Sequence, residues 1–254
     1  MNNSYFPSKN ESSDGESATL EFTLSSLRAF LSHIRGIAPV YRFCDQPQEN
    51  AGGFLLRHDI DLDLWPAVRL AELEKSVGVR STFFVMMTNE FYNPAAIPER
   101  RLLSQLVTDG FEVGLHFDPT VYGECKPSEL QSAAENEAHC LSKITGVPVG
   151  SLSLHNPTNS GIFTLFDGFH NAYDPVYFSP EKYISDSYMQ ISFVRNEPYK
   201  FVERGLERLV QILLHPCQFN EQEINFAEIL EKNDLRVRLR KAEAFETMLK
   251  VTSK

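Results

Sequence analysis

The chain has no long apolar run, no excess of basic residues and no paired cysteines, and each absence removes a class of function. Its strongest apolar stretch, Ser81-Thr82-Phe83-Phe84-Val85-Met86-Met87, has the length of a buried strand and falls far short of a membrane span. The N-terminus, Met-Asn-Asn-Ser-Tyr-Phe-Pro-Ser-Lys, carries neither a cationic start nor an apolar segment behind it, so the expectation is a cytoplasmic protein without a secretory signal. With 24 Lys and Arg against 34 Asp and Glu the formal charge is −10. Such a surface repels phosphate backbones, which argues against nucleic acid as a partner. Cys44, Cys125, Cys140 and Cys217 are widely spaced and form no CxxC pair; they read as reduced thiols, with no disulfide frame and no zinc knuckle. Also missing are a Gly-rich phosphate loop, a GxSxG elbow and an HExxH helix.

What is present is an ordinary globular composition, 42% hydrophobic and 23% charged, over 254 residues, enough for one large α/β domain or two small ones. Residues 1–17 are rich in Ser, Asn, Glu and Lys and read as a disordered leader. From Thr19 onward Leu24, Leu27 and Leu31 share one helical face. Gly53 to Arg57 is a short apolar run ending in charge, and a helix follows from about Pro66 to Gly78. Strand patterns over 80–86, 111–117 and 149–154 alternate with helical ones over 98–109 and from Ser128 to Gly146, the latter with a Ser128/Gln131 capping box. Alternation of this length implies parallel βαβ units. The aromatic and Asn-rich stretch 156–205 reads as long loops with short strands, Leu209 to Leu214 as a last strand, and 221–254 as one or two charged helices.

Position makes these segments informative. Four of the apolar runs, near 55, 115, 153 and 213, end in His or Asp. In parallel α/β folds the carboxyl ends of strands gather on one face, where sites are built. In His58-Asp59-Ile60-Asp61 a continuing strand turns Asp59 and Asp61 to the same side and His58 to the other. Two carboxylates so placed are costly unless a cation or protons share them, and a divalent metal is the economical partner: one Asp ligates and the other remains a general base. The alternative is that Asp61 and Asp63 merely introduce the next helix. His116, His155 and His215 each close a strand, where a neutral imidazole suits a borderline metal. Asp118 is expected to share the face of His116, and Asp186 is a candidate acid for orienting a histidine or the base. Arg57 and His58 are further candidates, while His33, His139 and His170 read as surface or packing residues. Phe163, Phe166, Tyr173 and Tyr177 suit either a core or a wall for sugar rings, and core is favoured for most of them.

The set resembles the NodB-like polysaccharide deacetylases (carbohydrate esterases), in particular the divergent branch from surface-polysaccharide and O-antigen gene clusters. The resemblance is carried by Arg-His-Asp-Ile-Asp at 57–61, Glu-Val-Gly-Leu-His-Phe-Asp at 112–118, Ser-Leu-His-Asn-Pro at 153–157, Ser-Asp-Ser at 185–187 and Leu-Leu-His-Pro at 213–216. It implies a single domain with a distorted (β/α) barrel over 18–220, on which a helical extension, 221–254, is expected to pack. It implies Asp59 as base, Asp61 as metal ligand and His215 as acid. In the second motif the family places two metal histidines four positions apart, whereas here Thr120 stands four after His116. The third ligand is therefore expected from the next strand end, His155, with Asp118 second. The implied cofactor is a divalent ion, Zn²⁺ first and Fe, Co, Ni or Mn as alternatives. The implied reaction is removal of an acyl group, acetyl first, from an amino sugar or polysaccharide precursor, so the expected partner is a small molecule or oligosaccharide. Two rivals stand beside it: hydrolysis of another non-peptide amide such as a ureide, and a degenerate member that binds carbohydrate without turning it over.

Overall fold

The computed structural model describes residues 19–187 and 197–252; the expected leader, 1–17, lies outside them. Helices are α1 (Leu24–Ile37), α2 (Leu64–Ser76), α3 (Ile97–Thr108), α4 (Pro127–Thr145), α5 (Pro157–Ser160), α6 (Glu197–Val202) and α7 (Phe226–Thr252). Strands are β1 (Val40–Tyr41), β2 (Gly53–Ile60), β3 (Thr82–Val85), β4 (Glu112–Phe117), β5 (Ser151–Leu154), β6 (His170–Asn171), β7 (Tyr183–Ser185) and β8 (Leu209–Leu214).

Local chemistry sets the element ends. The Thr23 side chain caps α1 by accepting the Ser26 N–H, and Leu27, Phe30, Leu31 and Ile34 form its buried stripe. Asp63 caps α2 by accepting the Trp65 N–H at 3.1 Å, so the helix-introducing reading holds for this acid. The expected Ser128/Gln131 box is not what starts α4. Pro127 occupies its first turn, and the Glu129 carboxylate accepts the Lys126 N–H at 2.7 Å. Gln131 instead ties the helix to the Asp167 backbone. The charged tail forms one helix, α7. Among the described residues no helix is long and apolar enough to cross a membrane.

Every ladder is parallel, in the order β6-β5-β4-β3-β2-β8-β7, with β1 against the first half of β2. Strand alternation sorts side chains into two populations. On the outer side Ile60, Phe83, Val85, Val113, Leu115 and Leu152 pack under α2, α3 and α4. Phe54, Leu56, Val210, Ile212 and Leu214 pack under α1. On the inner side Leu55, Phe84 and Leu209 meet Phe43 and Ala172. There the Gln211 side chain donates to the carbonyls of Ala172 and Tyr177. These inner contacts join β2, β3 and β8 to the chain that follows β6, which requires the sheet to curl. The fold is thus a single α/β unit on a curled parallel sheet, a distorted barrel whose end strands, β6 and β7, form no ladder with each other among the described residues. Curling points the carboxyl ends of β2, β4, β5 and β8 into one mouth.

Candidate metal centre and cleft

The eight residues of β2 are all buried, and strict alternation turns Arg57 and Asp59 inward and His58 outward. His58 stacks on Phe83 and pairs with Glu74, which also accepts the Ser81 hydroxyl, so His58 serves the outer packing and lies away from the cleft. Asp61 follows the strand and sits at the mouth. His116 from β4, His155 after β5 and His215 after β8 close around it.

Asp61 Oδ1 lies 3.3 Å from His116 Nε2 and 3.7 Å from His155 Nδ1, and the two histidine nitrogens are 3.1 Å apart. One ligand atom from each of the three lies within 4.8 Å of the others. The Nδ1 of His116 is 3.2 Å from the Ser153 carbonyl. A carbonyl only accepts, so Nδ1 carries the proton and Nε2 turns a lone pair to the cluster. The Nε2 of His155 is 2.8 Å from the Asn156 side-chain amide, a group that offers both donor and acceptor and so can match either tautomer. Asp61 Oδ1 is buried and has no hydrogen-bond donor. An orphaned carboxylate oxygen beside two imidazole nitrogens is a donor set that fits a divalent cation of the zinc type.

Electrostatics point the same way. Burial works against the Asp61 charge, but the adjacent His116, His215 and His155 imidazoles hold its carboxyl well below the usual range. Burial pulls His116 down, and Asp59 and Asp61 outweigh it, leaving the imidazole above its ordinary value. Carboxylates that favour a proton there favour a cation in its place. His155 is lowered by burial and by His116.

On the flanks stand two further groups. Asp59 is 3% exposed; its Oδ2 accepts from Ser153 Oγ at 3.2 Å and faces Arg57 Nη2 at 3.4 Å, while its Oδ1 has no partner. Arg57 is fully buried, donates to the Tyr173 hydroxyl at 3.1 Å and lies over the Tyr173 ring. Opposite, His215 Nδ1 lies 2.6 Å from Asp186 Oδ1, and the His215 backbone N–H donates to Asp186 Oδ2 at 2.8 Å. Burial opposes protonation of His215, but Asp186, then Asp61 and Asp59, push it up to about 9. Its Nε2 points to the cluster, 3.7 Å from Asp61 Oδ2.

The structure therefore brings together Asp59, Asp61, His116, His155, Asp186 and His215. It does not bring in Asp118, the second choice for third ligand. The strand ends at Phe117, and Asp118 caps the following turn, accepting both the N–H and the hydroxyl of Thr120. Thr120 is spent on that same turn. Of the aromatic candidates, Phe166 is buried against Phe117 and Tyr177 packs on Phe43, whereas Tyr173 lines the cleft. Phe178 and Tyr183, also on the cleft wall, belong to the same aromatic stretch, although no pattern singled them out. The cleft holds about 540 Å³.

No protein-family model matches the chain, and no curated protein matches it. Among solved structures it is similar to a chitin deacetylase from the fungal pathogen Colletotrichum lindemuthianum, at 16% identity and a TM-score of 0.47 over 75% of this chain and 85% of that one. It is similar to the family 4 carbohydrate esterase PdaA of Bacillus subtilis, at 16% and 0.42 over 84% and 83%. A third is a mutant, with restored enzymatic activity, of a CE4 family pseudoenzyme, at 14% and 0.43 over 74% of this chain. The chain spans 63% of the length of that protein. Likenesses this distant do not assign a reaction; the residues of the site have to.

Proposed function

We propose that the protein is a metal-dependent hydrolase that removes an acyl group, acetyl first, from an amino sugar or polysaccharide precursor. The observation that carries this reading is the company of the Asp61–His116–His155 cluster: Asp59, whose Oδ1 has no hydrogen-bond partner, and the His215–Asp186 pair. A divalent ion held by those three residues, Zn²⁺ first and Fe, Co, Ni or Mn as alternatives, would supply Lewis acidity toward a carbonyl and acidify a water. Asp59 takes the proton of the attacking water. Ser153 and Arg57 engage its other oxygen, which leaves Oδ1 unpaired for that proton. His215 donates its Nε2 proton to the departing nitrogen or oxygen, and Asp186 stabilises and orients the imidazole throughout. The acyl C–N or C–O bond breaks, a C–O bond to the water oxygen forms, and a carboxylate and a free amine or alcohol leave. Tyr173 and Tyr183, with Asn156 and Asn159, give the cleft the mixed aromatic and amide wall that suits a sugar.

Asp59→Asn tests the reading. The variant should keep its metal, measured by elemental mass spectrometry, and lose at least about a hundredfold in kcat on N-acetylated sugars. Undiminished hydrolysis would sink the base assignment. The non-catalytic carbohydrate-binding reading draws on one observation: the Thr120 hydroxyl is tied to Asp118, so the second motif contributes a single histidine. A pure binding site, however, needs neither Asp59 nor the His215–Asp186 pair.

A further inference from the structure

The cleft continues past the cluster. Beyond Asp61 and His215 it opens into a second lobe of about 360 Å³, and the two lobes share Asp61, Asn156, Ser187 and His215 as their common wall. The reacting bond, if it meets this cluster, lies at a junction with room on both sides.

The lobes differ in chemistry. Outside the shared wall the first mixes Asp59, the cluster histidines and the polar side chains of Thr158, Asn159 and Ser185 with the rings of Tyr173, Phe178 and Tyr183 and with aliphatic side chains. The second is lined by Leu62, Cys217, Phe226 and Gln218. Burial pushes the Cys217 thiol up, so it stays a neutral, apolar-natured group. The Phe226 ring, 51% exposed, presents an uncovered apolar face. Gln218 breaks the pattern: it is 4% exposed, and its Oε1 is buried with no donor. That oxygen has no accessible surface and so does not face the lobe, whose character stays apolar.

Size decides which half of a substrate belongs here. An acetyl group fills about the space of two waters, on the order of 60 Å³. The lobe is several times larger, and too apolar for a second polyhydroxylated ring. Resting on the hydrolase reading above, we propose that this lobe is the acyl pocket and that the substrate carries an acyl group longer than acetyl. By volume it takes an acyl group several times the size of acetyl.

The test uses the full chain reconstituted with metal and one amino sugar N-acylated with acetyl, butanoyl or hexanoyl groups. kcat/KM is expected to rise at least tenfold from acetyl to hexanoyl, and Phe226→Ala should shrink the advantage of the longer chains. Calorimetric binding of the same compounds to metal-loaded Asp59→Asn reads the lobe without turnover and should show the same order. A flat or falling dependence on chain length in both readouts overturns the acyl pocket. Binding that follows the expected order with no hydrolysis of any compound by the wild-type protein upholds the lobe and defeats the hydrolase reading instead.

Discussion

Asp186 and Glu137 are both buried acids, and their surroundings give them opposite work. Asp186 is fully buried, and both its oxygens are engaged by His215, one by the ring and one by the backbone N–H. An acid catalyst works only while protonated, so with His215 at about 9 the alkaline limb of a kcat/KM profile belongs to it. Asp186→Asn keeps the shape and removes the charge that raises His215. That limb should move to lower pH, with at least a tenfold loss at pH 8 relative to the pH 6 value. An unmoved limb would remove His215 from the acid role. Glu137 on α4 is 7% exposed; burial pushes it up to about 7, the nearby Asp118 adds to this, and the Tyr122 hydroxyl bond opposes it. A carboxyl whose folded value lies above its unfolded one favours folding while neutral. That contribution is complete below about 4.5 and is lost as the pH rises through about 7. Glu137→Gln should therefore match the parent at pH 4.5 and exceed it above pH 7, by a few kcal/mol at most, in denaturant titrations.

At the scale of elements, the mouth depends on strands that cannot move independently. Gly114 on β4 lets the Phe84 ring of β3 lie where a Cβ would stand, 2.5 Å away, and this close packing sits two residues before His116. The long helix α7 is fastened by charge. Arg236 donates to Asp63 at 2.7 Å, and Arg240 reaches Asp63 at 3.5 Å and Glu99 at 2.8 Å. Asp63 is 2% exposed and already serves as the cap of α2, whose chain leads directly out of Asp61. Arg236→Met leaves that buried carboxylate short of a donor, which should cost about 2 kcal/mol and lower the melting temperature. The loss should vanish in an Asp63→Ser background, where the cap remains and the charge does not. A persisting loss would mean that Arg236 acts through another contact, the Trp65 ring it lies over.

At the scale of the molecule, the Asp61–His116–His155 cluster exists only because the sheet curls. Asp61, His116 and His155 are separated by 55 and 39 positions in the chain and belong to three strand ends. Asp61→Ala and His155→Ala should each empty the site of metal while leaving the fold's far-ultraviolet signature intact. If His155→Ala keeps stoichiometric metal, the third ligand lies elsewhere. A cation bound only by the folded chain also stabilises it, by about 2.7 kcal/mol at a hundredfold excess over its Kd. Chelation should therefore lower the melting temperature of the parent and leave the Asp61→Ala variant unchanged.

The alternation of strands and helices in βαβ units, the convergence of His and Asp at strand ends, and the opposite facing of His58 and Asp59 were all legible in the sequence. Each follows from a local period of two or 3.6 residues and from the rule that parallel strands present their carboxyl ends together. Three things waited for the tertiary structure. Whether His155 or Asp118 stands beside Asp61 and His116 depended on where β4 stops, because one residue past the strand end a carboxylate turns to cap its own loop. The capping of α4 by Glu129 depended on which of two overlapping residue patterns Pro127 allowed to start the helix. The aromatic wall and the second lobe come from segments without periodicity, whose side chains are placed by contacts across the barrel mouth. Local pattern specifies which residues share a face; only packing between distant segments specifies what that face encloses.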